Sequence, residues 1–276
     1  MKNLAPDITV IGAGPVGCVT ALAFAHKGAD VVLLEATNKQ TRRFAGEWLH
    51  PPALKVLKHL NISLDSYIEN DTNGQGFVVF AEDITEPIYL HYPDGLKGFS
   101  CEHNRVIASL RAAVCNCKNI DFRSNSRVRA IQQQQLSVQD GQHRELFQIS
   151  TQLIVGADGR SSIARRSLNI PHTPKLISYM AGVLLENVEL PFEGFGHVLL
   201  GGLGPVLAYR IGQNQVRLCL DVPINFCKQN LNLWEAYRNL LPRLLLDAFQ
   251  RALEKNQVVW AANQYSSRIH YGRPGL

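Results

Sequence analysis

The sequence predicts an α/β fold: a Rossmann-like, three-layer domain joined to a second domain built on an antiparallel β sheet. Two patterns carry this reading. From Ile8 to Glu35 a short apolar strand, a glycine-rich turn, a helix of small residues and a second apolar strand follow one another. Past Pro171, short strand-like runs replace the mixed strand and helix pattern, and Val216 to Asp221 alternates between apolar and polar positions.

The first pattern is the most informative. Its strand (Ile8, Val10, Ile11) delivers the turn Gly12-Ala13-Gly14-Pro15-Val16-Gly17 to the start of a helix. Gly12 permits the tight turn, Gly14 lets backbone approach a pyrophosphate, and Gly17 allows close packing. The helix start then offers free N–H groups and a positive dipole end to phosphate. Glu35 closes the second strand, where a carboxylate can take both ribose hydroxyls. An acid there, rather than a small residue followed by Arg, argues against a 2′-phosphate. The ligand is therefore NAD or FAD.

The bulk properties fit such a protein. A chain of 276 residues, 46% hydrophobic and 18% charged, has ample core for one large or two small domains. The net charge of +5 is modest and scattered, with no nucleic-acid arm. Six cysteines form no paired CxxC motifs and no secreted disulfide pattern, so free thiols and no metal are expected. Cys18, at a helix start, has either a lowered pKa or a filler role. No signal peptide or spanning helix is read, so a cytoplasmic protein is expected, with peripheral membrane contact as the alternative. Val198 to Leu200 and Leu240 to Leu253 are the stretches that could touch a membrane surface, and core packing explains them more simply.

Along the chain, Arg43 follows a polar loop and could reach back to the pyrophosphate with a bidentate guanidinium. A helix is expected through Leu54, Val56, Leu57 and Leu60. Strands are expected at Phe77 to Phe80 and Ile88 to Leu90, then a turn at Tyr92-Pro93-Asp94-Gly95. Val106, Leu110, Ala113 and Val114 mark another helix. Strands at 120–122 and 126–131 lead to a solvated hairpin through Gln132 to Gln135, with its turn at Asp140-Gly141 and a returning strand from Phe147 to Val155. That strand runs into Gly156-Ala157-Asp158-Gly159, a second polar turn before a basic helix start. Further strands are read at 178–185, 197–200, 206–211 and 216–221, a loop at 225–232, and a helical stretch from Trp234 to Leu253 broken at Pro242.

The combination of GxGxxG with Glu35, then Arg43, then the Asp158-Gly159 turn resembles the class A FAD-dependent monooxygenases of the para-hydroxybenzoate hydroxylase fold. Within them it looks most like the squalene monooxygenases. The matching stretches are Arg43 to Glu47 with Leu49 and Pro51, His103-Asn104-Arg105 with Ser109-Leu110-Arg111, Gly204 to Tyr209, and Val216 to Leu218. The resemblance implies that Gly12, Gly14, Pro15, Val16 and Gly17 hold the FAD pyrophosphate and Glu35 with Ala36 the adenosine ribose. It gives Arg43, Trp48 and Arg105 to FAD, the Val128 backbone to adenine, and Asp158 with Gly159 to FAD. Tyr92 falls on a tyrosine near flavin and substrate, the expected catalytic residue. The implied activity inserts one oxygen atom of O2 into an apolar alkene or ring through a flavin C4a-hydroperoxide, with NAD(P)H or a reductase partner as electron donor. A reductase or halogenase of the same fold is the alternative.

Two departures accompany the resemblance. The family carries Gln-Pro-Gly-Gly near the flavin where this chain has His50-Pro51-Pro52-Ala53. The family's third motif, Gly-Asp-Ala, is expected just after Leu276, so the chain reads as cut before it, and the further alternative is an incomplete or split flavoprotein fragment that alone binds FAD weakly or not at all and lacks independent activity. The expected division is 1–70 with 100–175 for FAD, and 71–99 with 176–276 for the substrate side.

Overall fold

A computed structural model describes residues 4–38, 46–62, 73–81, 86–170, 173–227, 233–266 and 270–276. Its first layer is a parallel sheet in the order β12 (Leu153–Gly156), β1 (Ile8–Ile11), β2 (Val31–Leu34), β8 (Ile120–Arg123). All four residues of β1 and of β2 are buried, because both faces of the sheet are covered. Helices α1 (Pro15–Ala25) and α3 (His103–Cys115) contribute Ala21, Leu22, Leu110 and Val114 to the core on one face. A three-stranded antiparallel sheet covers the other: β11 (Leu146–Ser150), β10 (Gln135–Asp140) and β9 (Ser126–Gln132). Its Val128, Ile131, Leu136, Val138 and Ile149 pack on Ile11, Val32 and Leu34. The layers are thus helix, parallel sheet and antiparallel sheet.

The second body is a seven-stranded sheet in the order β17 (Val258–Tyr265), β13 (Lys175–Glu186), β16 (Gln215–Pro223), β15 (Val206–Gly212), β14 (Phe195–Leu199), β5 (Gly76–Phe80), β6 (Ile88–His91). Pairing is antiparallel except between β14 and β5. One face is covered by α6 (Leu233–Arg238) and α7 (Arg243–Glu254), whose Tyr237, Leu245, Ala248 and Phe249 are buried against it. The Tyr237 hydroxyl donates to the Asp221 carbonyl at 2.5 Å. The opposite face carries Met180, Leu207, Tyr209 and Cys219, with Trp48 packed against them. A small sheet is formed by β3 (Trp48–Leu49), β7 (Gly98–Ser100) and β4 (Asn73–Gly74), and α2 (Pro51–His59) contacts it.

Several expectations are corrected here. Gln132 to Gln135 is a solvated hairpin as expected, but its turn is Gln133-Gln134, and an unread strand, β10, follows before the chain turns again from Asp140-Gly141. The single strand read from Phe147 to Val155 is two strands in two sheets. Thr151 Oγ1 and Gln152 N donate to Asp7 O at 3.0 and 3.1 Å, and the chain changes layers there. Within the loop read at 225–232, Ile224–Cys227 is a short helix, α5, and 228–232 lie outside the described residues. The edge strand β17 was not foreseen. Arg273 to Leu276, grouped by sequence with the second domain, return to the first: Ile154 N donates to Gly275 O at 2.9 Å, and Leu276 packs in the layer beneath. Of the stretches that could touch a membrane surface, Leu199, Leu245, Ala248 and Phe249 are buried, whereas Leu200 and Leu244 are exposed.

Candidate functional site

The glycine loop joins β1 to α1, and its three glycines answer to different constraints. Gly12 has φ +100°, and a Cβ there would lie 2.6 Å from Ala157 O. At Gly17 a Cβ would lie 1.8 Å from Gly12 O and 3.3 Å from the Ala157 side chain, so this glycine closes the loop on itself and on the Gly156-Ala157 turn. Around Gly14 nothing lies within 4 Å of a Cβ position. That open side faces a cavity of about 940 Å³. Gly14 caps α1 with extended backbone and no side-chain bond, Pro15 opens the helix, and the first turn holds no acid. Pro15 and Val16 are exposed. The loop therefore presents bare N–H groups and a positive helix end, the donor set a pyrophosphate takes.

Glu35 is built into this loop. Its Oε2 accepts Ala13 N at 3.0 Å and its Oε1 accepts Thr37 N at 3.2 Å. Arg111, from α3, donates through Nε to Ala13 O at 3.1 Å and places Nη2 at 3.4 Å from Glu35 Oε2. Ala13 is thus held at both backbone atoms by an ion pair. Among the described residues Oε1 has Thr37 N as its one partner, and Glu35 lines the cavity, which leaves an acceptor site for one ribose hydroxyl. The resemblance matches Arg111 within a stretch and assigns it no role. Its distance from Ala13 along the chain hid the contact.

The Asp158-Gly159 turn forms the opposite wall. Asp158 Oδ2 accepts Ile163 N at 2.6 Å, which ties the turn to α4 (Ile163–Ser167). Its Oδ1 is buried with no partner among the described residues, although it belongs to a residue lining the cavity. A buried carboxylate oxygen without a donor is costly, and a ligand hydroxyl or ordered water would relieve it. Gly159 has φ +75°. Val128 turns its side chain into the core, so it meets the cavity through backbone. Ala36 lines the same cavity. The open loop at Gly14, the bare helix start and the Asp158 oxygen together fit a dinucleotide.

A second cavity of about 980 Å³ lies on the uncovered face of the seven-stranded sheet. Arg160 lines both cavities and donates to Ala262 O at 3.1 Å, so one guanidinium stands where they adjoin. The walls of the second are mainly apolar, with Phe77, Met180, Val198 and Leu207 among them. At one end Glu47 and Arg217 form a buried two-bond pair, Nε to Oε2 at 2.9 Å and Nη2 to Oε1 at 3.0 Å. The Tyr209 hydroxyl donates to the same Oε2 at 3.1 Å. Burial pushes the Glu47 carboxyl up, against the pull of Arg217 and Tyr209. Burial also raises the Tyr209 phenol, and it raises the Cys219 thiol to about 11. At the other end Asp221 Oδ1 accepts from Ser178 Oγ at 2.5 Å and Asn263 Nδ2 at 2.8 Å.

Tyr92, the expected catalytic residue, stands behind this wall. Its hydroxyl accepts Trp48 Nε1–H at 2.8 Å and lies 2.6 Å from His50 Nδ1. Trp48 and His50 line the cavity, whereas Tyr92 does not. Arg105 sits on the first turn of α3 near Cys101 and lines neither cavity. Arg43 lies outside the described residues. Cys18 is filler: burial raises its thiol to about 11, and its Sγ donates to Ala13 O at 3.5 Å. Among the described residues, no cluster of His, Cys, Asp and Glu could hold a metal ion, and no helix is long and apolar enough to cross a membrane.

With this geometry in view, comparison with known proteins is specific. The squalene epoxidase erg1 of Aspergillus fumigatus is 29% identical over 295 residues, covering 100% of this chain and 60% of the relative. The squalene epoxidase ERG1 of Candida albicans is 25% identical, covering 99% of this chain and 64% of the relative. The chain thus spans somewhat under two thirds of the length of these curated relatives. Among solved structures, pqsL of Pseudomonas aeruginosa, described as a probable FAD-dependent monooxygenase, superposes with a TM-score of 0.79 at 16% identity, over 98% of this chain and 77% of its own. That likeness shows the shared fold. The FAD binding domain family matches residues 6–215, and the chain belongs to that family.

Proposed function

We propose that this chain binds FAD across the two cavities and is the flavin and substrate portion of an oxygenase acting on a small apolar alkene or ring, as the squalene epoxidases named above do on theirs. The observation that carries the reading is the shared Arg160. A polar cavity over the glycine loop adjoins a mainly apolar one of similar size, as an extended dinucleotide ending at an apolar substrate requires.

The residues divide the work. The Gly12 to Gly17 loop and the start of α1 hold the pyrophosphate, with Ala13 fixed by Glu35 and Arg111. Asp158 Oδ1 and Glu35 Oε1 accept hydroxyl hydrogens of the ribityl or ribose portions. Bound flavin supplies the chemistry that reduces O2 and transfers one of its oxygen atoms. Met180, Val198 and Leu207 orient the substrate and exclude water from the reacting face. The Glu47–Arg217 pair fixes the loop carrying Trp48 and His50 to the sheet. NAD(P)H or a reductase provides the electrons.

The test is a purified chain mixed with FAD, desalted and examined by visible spectroscopy. Retained flavin is expected, followed by labelled oxygen from O2 in an alkene such as squalene when NADPH and a reductase are supplied. Retained flavin with no incorporation into any alkene or phenol sinks the oxygenase reading. Loss of all flavin on desalting sinks FAD binding by this chain.

A further inference from the structure

Val216, Leu218, Leu220 and Val222 turn one face of β16 into the core beneath α6 and α7, so Arg217, Cys219 and Asp221 share the other. Glu47 occupies Arg217, and the Cys219 sulfur lies 3.7 Å from the Tyr209 hydroxyl. Asp221 has only one oxygen engaged. Its Oδ1 accepts Ser178 Oγ–H at 2.5 Å and Asn263 Nδ2–H at 2.8 Å, and Asn263 Nδ2 also donates to Ser178 Oγ at 3.0 Å. Ser178 pairs with Asn263 across β13 and β17, and Met180, two residues on, pairs with Asp221 on β16. Three adjacent strands thus bring both donors to the same oxygen. Tying the strands together uses Oδ1 alone. Oδ2 accepts no hydrogen bond among the described residues. Asp221 is half-buried, and with Asn263 it lines the mainly apolar larger cavity.

We propose that Asp221 Oδ2 is the specificity-determining acceptor for a hydroxyl group of the substrate, so that the larger cavity takes an alkene or ring bearing an alcohol rather than a bare hydrocarbon. This rests on the reading of that cavity as the substrate site and narrows its substrate class. A carboxylate only accepts, so it selects a donor. Arg160, bonded to the Ala262 carbonyl beside Asn263, places a positive charge on the same wall. That charge opposes an ammonium and favours a neutral hydroxyl. Ser178 and Asn263 are positioning residues that hold the carboxylate through Oδ1. A hydrocarbon displaces water from Oδ2 and returns no donor, and that unpaired acceptor is how such a site rejects it.

The test is ligand binding by the purified chain without FAD, read by tryptophan fluorescence, because Trp48 and Trp260 line the cavity. The probes are undecenol, a terminal alkene alcohol, and its methyl ether, which keeps the oxygen and lacks the donor. Wild type is expected to bind the alcohol at least about tenfold more tightly than the ether. Asp221→Asn preserves volume and an oxygen for Ser178 and Asn263, but presents an amide N–H to the ligand. Both probe oxygens can accept from it, so the preference is expected to shrink to within about twofold. Ser178→Ala leaves Oδ2 in place and is expected to retain the preference. If Asp221→Asn lowers both affinities equally, keeping the wild-type ratio, the role is structural and the proposal is overturned. Equal binding of alcohol and ether by wild type overturns it without any variant. Equal binding with FAD affinity lowered in Asp221→Asn overturns it in favour of a cofactor hydroxyl on Oδ2. If neither probe binds wild type, the substrate reading of the cavity has failed, and the proposal with it.

Discussion

Glu47 and Arg217 stand 170 positions apart in sequence and share two hydrogen bonds inside the protein, at 2.9 and 3.0 Å. The acid belongs to the loop that leads into β3, and the arginine to the centre of the seven-stranded sheet. Both side chains are nearly dry, at 1% and 9% exposure. The pair ties the loop leading into β3 to β16, and Glu47 lines the larger cavity. Removing one partner leaves a buried charge alone, so Glu47→Gln is expected to cost about 3–5 kcal/mol in urea unfolding. Glu47→Leu combined with Arg217→Met is expected to recover most of that loss. Equal stability of wild type and Glu47→Gln is the outcome that contradicts this.

His197 sets an acid limit on stability. Phe192 N donates to its Nε2 at 3.2 Å, and its Nδ1 lies 3.1 Å from Phe195 O, an acceptor, so the ring is neutral with its proton on Nδ1. Burial pulls its pKa from 6.5 to about 4, against the Phe195 carbonyl and Glu193. Between those values the unfolded chain binds a proton that the folded chain refuses. Stability is therefore full above 6.5 and declines as pH falls toward 4, by up to about 1.4 kcal/mol per unit. Glu193 acts in the same sense at lower pH: burial works to raise its carboxyl, but the Arg210 bonds outweigh this and hold it down. Urea unfolding at stepped pH is expected to show a shallower slope in His197→Asn than in the wild type.

The glycine loop separates folding from ligand binding at two neighbouring positions. Gly14→Ala places a methyl in open space on the cavity side, so stability is expected to change by under about 1 kcal/mol. FAD affinity, read by fluorescence quenching, is expected to fall at least about tenfold. Gly17→Ala drives a methyl to within 1.8 Å of Gly12 O and is expected to lower the unfolding midpoint sharply before any ligand is added. Equal melting of the two variants goes against this division.

Arg111→Met tests the support behind the loop. The change keeps the apolar stem but removes the Nε bond to Ala13 O and the charge beside Glu35. The pair is partly exposed, so the stability loss is expected to stay near 1 kcal/mol. FAD affinity is expected to fall more than stability does, because Ala13 loses its backbone anchor. A melting point far below wild type, with FAD affinity unchanged, reverses that assignment.

Much of the architecture was legible because it is local. The strand, glycine turn, helix and acid of residues 8–35 are contiguous, and backbone sterics alone require glycine at the close approaches. The alternation of β16 and the apolar positions of α7 were likewise readable from period. Strand β17 was not, because Val258-Val259-Trp260-Ala261-Ala262 lacks alternation and takes its place only by pairing with β13. The two-strand break at Thr151 needed Asp7, far upstream in sequence, to be visible.

The sequence by itself determined that a phosphate-binding βαβ unit opens this chain, which turn glycines it needs, and that an antiparallel sheet follows. Only the tertiary structure decided which polar groups meet. Arg111 reaches Ala13, Arg217 reaches Glu47, and Tyr92 reaches His50 rather than the cavity. The reason is physical. Turn conformation and side-chain period are set by neighbours in the chain, whereas an ion pair or a side-chain hydrogen bond depends on distances across layers that no spacing in the sequence encodes.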